Sequence, residues 1–248
     1  LDRPNPHAHY VDGPVLDLEY SSFVGMHPVP IIYGMTIGEY ALMINGERWL
    51  NNRLDCDLTV IEMSVYSRYN KITYDFVPAP SPNLQNMHAI FLYPSLCLFE
   101  GTLISVGRGT NYPFEVFGAP FFNSDSLDTS FQFTPFPNFG SRTPKYNGEL
   151  CYGWLLSPDL KGSCGVVSPQ LTNKQVQYLN IEFLIDAYRK TPDNYKADFF
   201  NPFFNKLAGN KDLQDQIINK VSEHKIRQSW ESNLNQFRKI RKKYLLYD

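Results

Sequence analysis

Residues 98–120 read Leu98-Phe-Glu-Gly-Thr-Leu-Ile-Ser-Val-Gly-Arg-Gly-Thr-Asn-Tyr-Pro-Phe-Glu-Val-Phe-Gly-Ala-Pro120. The run sets Glu100, Arg108, Thr110 and Glu115 among Gly101, Gly107, Gly109 and Gly118. Glycines let a backbone turn tightly or approach another group closely. Charged and hydroxylated residues in a glycine-rich stretch make poor core. Such a loop suits a polar pocket for a hydroxyl-rich or anionic ligand. It equally suits a tight structural loop in which Arg108 pairs with Glu100 or Glu115, because a semi-buried arginine is usually paired. Directly after the loop, Phe114-Glu-Val-Phe-Gly118 predicts a strand.

Upstream, Thr36-Ile-Gly-Glu39 has the form of a capping box. Ile37, Tyr40, Ala41, Ile44 and Trp49 recur at helical spacing and predict a helix to about Leu50. Leu58-Thr-Val-Ile-Glu-Met-Ser64 is β-rich and predicts a central strand, with Glu62 near its end. Residues 1–30 predict an irregular, extended lead-in, and Val77-Pro-Ala-Pro-Ser-Pro-Asn83 a complete break. Asn86 to Leu98 predicts a helix interrupted by Pro94. Gly148–Ser157 and Val166–Leu171 predict strands, Gln177–Arg189 a helix, and the chain from Phe203 onward further helices. Within the last of these, Trp230, Leu234, Phe237 and Ile240 or Arg241 form one apolar stripe. Strands and helices without regular βαβ spacing indicate an α+β class: a mixed sheet, flanking helices and a helical carboxyl-terminal region.

Composition narrows the function. The chain has 248 residues and a net charge of −2, so it lacks the basic footprint of a nucleic-acid binder. The basic cluster from Lys225 to Lys243 fits the solvated face and carboxyl end of a final helix. No stretch reaches the length of a transmembrane helix. The 18 Phe and 16 Tyr include the loop Phe131-Gln-Phe-Thr-Pro-Phe-Pro-Asn-Phe139, whose rings could stack on sugars or anchor loops and core. Cys56, Cys97, Cys151 and Cys164 form no Cys-x-x-Cys pair and have no histidine at ligand spacing, so no metal site is expected. Cys151 and Cys164 flank a predicted hairpin and could pair. His7 and His9 alternate near the amino end without further ligands. Ser21, Ser22 and Ser105 lack a nucleophile elbow, and Gly107-Arg-Gly-Thr110 lacks the ending of a phosphate loop.

Several segments carry a family resemblance. The 98–120 run resembles the signature of the NamZ-type exo-β-N-acetylmuramidases. Leu1-Asp-Arg-Pro-Asn-Pro6 with Asp12-Gly-Pro14, and Pro30–Ala41 with Asn45-Gly-Glu47, resemble earlier family segments, with Tyr33 where a histidine is expected. Pro80-Ser-Pro-Asn83 and the closing Trp230…Tyr247 run match in order. Family members are longer, and the resemblance implies a Rossmann-like amino-terminal domain ahead of the Arg-Pro-Asn-Pro segment. This chain starts on that motif without an initiator Met. Residues 1–248 are therefore expected to be the carboxyl-terminal, auxiliary and cleft-forming domain of a two-domain glycosidase-like protein. The family's active-site cleft and its favoured catalytic Glu would involve the absent domain.

The resemblance implies a peptidoglycan-recycling hydrolase that releases N-acetylmuramic acid from the non-reducing ends of glycan fragments. Its partners would be peptidoglycan-derived glycan and the absent amino-terminal domain, with no cofactor, at a secreted, periplasmic or cell-envelope location. Glycosidases ordinarily use two carboxyl groups. Glu100 and Glu62 are the weak catalytic candidates here, or they pair structurally with Arg108 or Arg3. Arg108 is the first choice for ligand contact, because a guanidinium grips a carboxylate such as that of the muramic lactyl group with a two-pronged fork. Glu100, Thr110, Glu115, Arg3, Asn5 and Asn83 complete the candidate substrate-binding set. Asn5 and Asn83 sit in proline-locked loops, where asparagine is also an ordinary turn residue. The alternative is a non-catalytic carbohydrate-binding or scaffold module.

Overall fold

Thr36 opens the first helix as its capping box predicts. Its hydroxyl accepts from the Glu39 amide at 3.2 Å, and the Glu39 carboxylate accepts from the Thr36 amide at 2.9 Å. The computed structural model describes residues 1–69, 79–122, 131–156 and 178–248. Among these the helices are α1 (Ile37–Gly46), α2 (Met87–Leu96), α3 (Glu182–Lys190), α4 (Asp193–Lys196), α5 (Phe204–Ala208), α6 (Asp212–Ile218) and α7 (Glu223–Arg241). The strands are β1 (Asp12–Val15), β2 (Pro30–Ile32), β3 (Val116–Ala119), β4 (Phe131–Phe133) and β5 (Cys151–Leu155). The fold is α+β. In place of one mixed sheet, the described strands form two small antiparallel sheets, β1-β2 and β3-β5-β4. The chain divides into two compact units, Leu1–Thr73 with Ala208–Asp248, and Tyr74–Leu207.

In the first unit, α1 ends earlier than its apolar spacing predicts. Arg48 takes a left-handed φ of +56°. Its amide donates to Asn45 O at 3.1 Å and that of Trp49 to Ile44 O at 2.9 Å, which is a Schellman stop with arginine in the glycine position. The Leu58–Ser64 strand does not form. Those residues are largely exposed, and main-chain ties are single: Asp2 N donates to Ile61 O at 2.9 Å, and Met63 N to the Tyr247 hydroxyl at 3.1 Å. Among the described residues this β-prone run has no neighbouring strand and joins no ladder.

The apolar stripe of α7 is buried at Ile226, Trp230, Leu234 and Phe237. Phe237 joins Met35 and Met43 in a core cluster, against which Tyr33, Tyr40, Trp49, Tyr244 and Leu245 pack. Arg227 on the same helix pairs with Asp12 of β1 at 2.9 Å. The chain end is docked. The wholly buried Glu39 carboxylate accepts from Arg68 at 2.7 Å and from the Leu246 amide at 2.8 Å. Arg68 also donates to Tyr247 O at 3.0 Å. Buried Asp2 accepts from the Thr36 hydroxyl at 2.6 Å, the Gly38 amide at 2.8 Å and the Tyr247 hydroxyl at 2.8 Å. Burial pushes the Asp2 carboxyl up, but these donors and the Arg3 amide together outweigh it and hold the pKa below the ordinary value.

In the second unit, β5 is the central strand, paired with β3 from Val116↔Leu155 to Ala119↔Tyr152 and with β4 at Phe131↔Gly153 to Phe133↔Cys151. Aromatic rings fill one layer: Phe117 stacks on Phe99 at 5.0 Å and on Trp154 at 5.2 Å. Helix α2 starts at Asn86, whose side chain accepts from the Ala89 amide at 2.8 Å, and carries Pro94 in its last turn before continuing as a 3-10 helix, Cys97–Gly101. Cys97 is half-buried, and its thiol is pushed up to about 12, chiefly by burial, which disfavours the reactive thiolate. The Val166–Leu171 strand and Cys164, the candidate partner of buried Cys151, fall outside the described residues.

Trp230 is 5% exposed in a closely packed stripe. Trp230→Ala is expected to cost about 3–5 kcal/mol in denaturant unfolding. Lys239→Ala, on the exposed face of α7, should stay within about 0.5 kcal/mol of the parent. A loss below about 1 kcal/mol for Trp230→Ala would remove the ring from the core.

Candidate functional site

The 98–120 run folds as a tight loop around a cavity of about 400 Å³ in the second unit. Gly109 has a φ of +87°, and a Cβ there would come within 2.6 Å of Phe136 O and 2.8 Å of Pro144 Cβ. Only glycine lets the loop lie against the 136–144 segment. The Phe136 amide donates to Gly109 O at 2.9 Å and closes that contact. Facing it, the 144–146 segment is fastened to three successive carbonyls. Lys145 Nζ donates to Thr102 O at 2.5 Å and Ile104 O at 2.9 Å, and the Tyr146 hydroxyl donates to Leu103 O at 2.7 Å.

The charged lining is Glu100, Arg108, Arg142 and Lys145, so three cations face one carboxylate. Arg108 donates to Glu100 at 2.5 Å. The pair is part-exposed, at 41% and 23% of the two side chains. Arg108 Nε is buried without a hydrogen-bond partner. Lys145 spends two of its three N–H donors on carbonyls. Burial pushes its ammonium down to about 8, against a smaller opposing pull from Glu100. Ser105, Ser141 and Thr143 add hydroxyls, and Phe139 lies on the rim of the lining. The arrangement offers an anion charged donors and a hydroxylated ligand several neutral partners.

Of the predicted set, Glu100 and Arg108 line this cavity, and they pair with each other as the structural alternative expected. The remaining candidates lie elsewhere. Thr110 is spent on the loop, donating to Gly107 O at 2.7 Å and accepting from the Tyr112 amide at 3.0 Å. Glu115 is buried and accepts from Asn86 Nδ2 at 2.8 Å. Asn83 donates to Gly140 O at 2.7 Å, and so braces the cavity wall from behind. Arg3, Asn5 and Glu62 belong to the first unit. There Asn5 bridges Met35 O at 2.7 Å and the His7 amide at 2.9 Å, and Glu62 is exposed. Tyr33 stacks on Tyr40 with ring centroids 4.9 Å apart. Sequence reasoning missed Lys145, Arg142 and Phe139 as a group. Pro144-Lys-Tyr146 has no motif; only the fold brings it beneath residues 102–104. Among the described residues no three His, Cys, Asp or Glu side chains could hold a metal ion, and no helix is long and apolar enough to cross a membrane.

Residues 91–247 match the family model described as exo-β-N-acetylmuramidase NamZ, C-terminal, and residues 1–88 match its N-terminal counterpart. The chain belongs to the NamZ family. A curated relative, the peptidoglycan β-N-acetylmuramidase NamZ of Bacillus subtilis strain 168, is 38% identical over 263 aligned positions, covering 100% of this chain and 58% of the relative. A crystal structure of a DUF1343 family protein from Bacteroides fragilis superposes with a TM-score of 0.87 at 42% identity, covering 100% of this chain and 65% of that one. A second DUF1343 structure from the same organism shares the fold, with a TM-score of 0.77 at 24% identity over the same shares. The chain thus spans under two thirds of the length of these relatives. It carries sequence matching both NamZ models. The first unit itself draws on both, joining residues 1–73 to the final helices.

Lys145 is expected to titrate with a midpoint near 8 in NMR of the lysine side chains, and Lys145→Gln should delete that titration. The unfolded chain holds the lysine proton to a higher pH. From about 8 up to the ordinary lysine range it therefore binds more protons than the folded chain, and this group makes stability rise with pH there. A midpoint in the ordinary lysine range would show that the ammonium is not desolvated.

Proposed function

We propose that this chain is the substrate-binding part of a peptidoglycan-processing glycoside hydrolase that releases N-acetylmuramic acid from the non-reducing ends of glycan fragments. The observation that carries this reading is the cavity holding Arg108, Lys145 and Arg142 around one carboxylate. N-acetylmuramic acid differs from N-acetylglucosamine by an ether-linked lactyl group, so a cationic cavity is what separates the two sugars. Membership of the NamZ family and the name of the B. subtilis relative support the same substrate class.

In this reading the chain supplies one wall of the cleft. The length by which its relatives exceed it supplies the Rossmann-like domain and the catalytic acid. The protein works on the cell envelope or outside it, where peptidoglycan fragments arise. The cavity's own chemistry agrees with a binding role. Two carboxyl groups about 5–10 Å apart are the usual requirement for glycoside hydrolysis. Here Glu100 is the one carboxylate in the lining, and it is engaged by Arg108. That single carboxylate also favours a second reading, a non-catalytic carbohydrate-binding module.

Two measurements test the proposal. The 248-residue chain should release no muramic acid from a chromogenic muramide, whereas a full-length protein containing it should. Turnover by the chain alone would return Glu100 to a catalytic role; no turnover by the full-length protein would favour the binding module. Arg108→Lys should weaken binding of N-acetylmuramic acid by about 1–3 kcal/mol in calorimetric titration and leave N-acetylglucosamine nearly unaffected, because lysine keeps the charge but loses the fork. Equal losses for both sugars with a lowered melting midpoint would make Arg108 purely structural.

A further inference from the structure

Phe139 is 93% exposed, yet it belongs to the lining of the cationic cavity. A large apolar ring left in water forgoes most of the burial that phenylalanine ordinarily gains. An exposed ring alone needs no explanation, and Phe23 on a turn of the first unit is 98% exposed; Phe139 also lines a cavity. Both rings sit on turns closed by a reciprocal pair of main-chain hydrogen bonds, Ser22 with Gly25 and Asn138 with Ser141, and the Phe139 turn is held further by side chains. In the Phe139 turn Asn138 N donates to Ser141 O at 2.8 Å and Ser141 N to Asn138 O at 3.2 Å. The Asn138 side chain accepts from the Gly140 amide at 3.0 Å and the Ser141 amide at 2.9 Å. From behind, Asn83 donates to Gly140 O at 2.7 Å. A Cβ on Gly140 would stand 2.5 Å from Asn83 Oδ1, so the two segments touch. The bare ring is therefore carried on a backbone with little freedom left to lose on binding.

We propose that Phe139 is the stacking platform for a pyranose ring whose carboxylate substituent is held by Arg108 and Lys145. This rests on the cavity being the glycan-binding site. The C–H faces of a sugar ring are apolar and its edges polar. A ligand bearing both a sugar face and an anionic group is matched by an aromatic ring at the rim and cations inside. The two contacts read different parts of the ligand. The platform reads the ring, common to N-acetylmuramic acid and N-acetylglucosamine. The cations read the lactyl carboxylate, which only the first possesses. Asn83 is a positioning residue, bracing the turn that carries the platform.

The test is calorimetric titration of the 248-residue chain and its variants with both sugars, beside a melting curve for each protein. Phe139→Ala should weaken both sugars by about 3- to 10-fold, in equal proportion and with an unchanged melting midpoint, since the ring packs on nothing that folding needs. Phe139→Trp should bind at least as tightly as the parent, and its indole emission should shift on adding either sugar. Unchanged affinity for both sugars in Phe139→Ala, with Arg108→Lys still weakening N-acetylmuramic acid, would overturn the platform and leave the cavity as the site. Failure of both Phe139→Ala and Arg108→Lys to change binding would overturn the cavity reading, and the platform with it. A loss in Phe139→Ala confined to N-acetylmuramic acid would also overturn the stacking role, because a ring contact is blind to the lactyl group.

Discussion

The first turn of α1 is where three distant parts of the first unit are fastened together. Its free amides are met by Thr36, Glu39 and Asp2, and the same carboxylates reach Arg68 and the chain end at Leu246 and Tyr247. Glu39 is wholly buried and ionisable, which is tolerable because each carboxylate oxygen accepts from main chain and one also from Arg68. Removing one partner would leave a charge stranded in the interior, at a cost of several kcal/mol, so the members of this cluster depend on one another. The placement of α7 and of the 61–68 segment follows from it.

The second unit solves a different problem, which is to keep charge near an opening without letting it collapse inward. Lys145 is drawn toward the carbonyls of residues 102–104, and Arg108 is occupied by Glu100. A part-exposed ion pair is worth little in water, about 0–1 kcal/mol. On the binding role proposed above, a ligand carboxylate would compete with Glu100 for Arg108 at small expense. Glu100 is the carboxylate that Arg108 pairs with. It keeps the guanidinium oriented and limits repulsion among the three cations.

Much of the local structure was legible in the residues themselves. The capping box at Thr36, the N-terminal start near Asn86, the β3 strand after the glycine loop and the buried stripe of α7 all rest on short-range rules that tertiary contacts did not override. The failures have two causes. Leu58–Ser64 has strand chemistry but no partner strand among the described residues, which depends on what lies across space. Trp49 has helical spacing but lies beyond a left-handed Arg48, where a local turn stops the helix. The site divides the same way. Glu100 and Arg108 stood out as charges among glycines, and their mutual pairing was foreseen as one of two outcomes. Lys145 and Arg142 carry no local signal, and Phe139 stands out only as one ring of the 131–139 loop; what makes them a group is the turn at Asn138–Ser141 and the fastening of residues 144–146 beneath residues 102–104. The proline-rich setting of Asn83 suits a hydroxyl binder or an ordinary turn residue, and in the structure its amide holds main chain at Gly140 O.

The hydrogen bond from Tyr247 to Asp2 sets the two ends of this chain side by side. Pulled apart by those ends, as in an optical trap, the molecule would be loaded as a zipper rather than in shear. Force would fall on the contacts of Asp2 and Tyr247 one after another instead of on all of them at once. The first unit would yield at modest force from its termini inward, with Glu39 and Arg68 exposed early and α7 peeled off next. Forced unfolding reports the barrier along the pulled direction and not equilibrium stability. A domain well anchored by its buried charges can thus be mechanically soft along the line joining its own two ends.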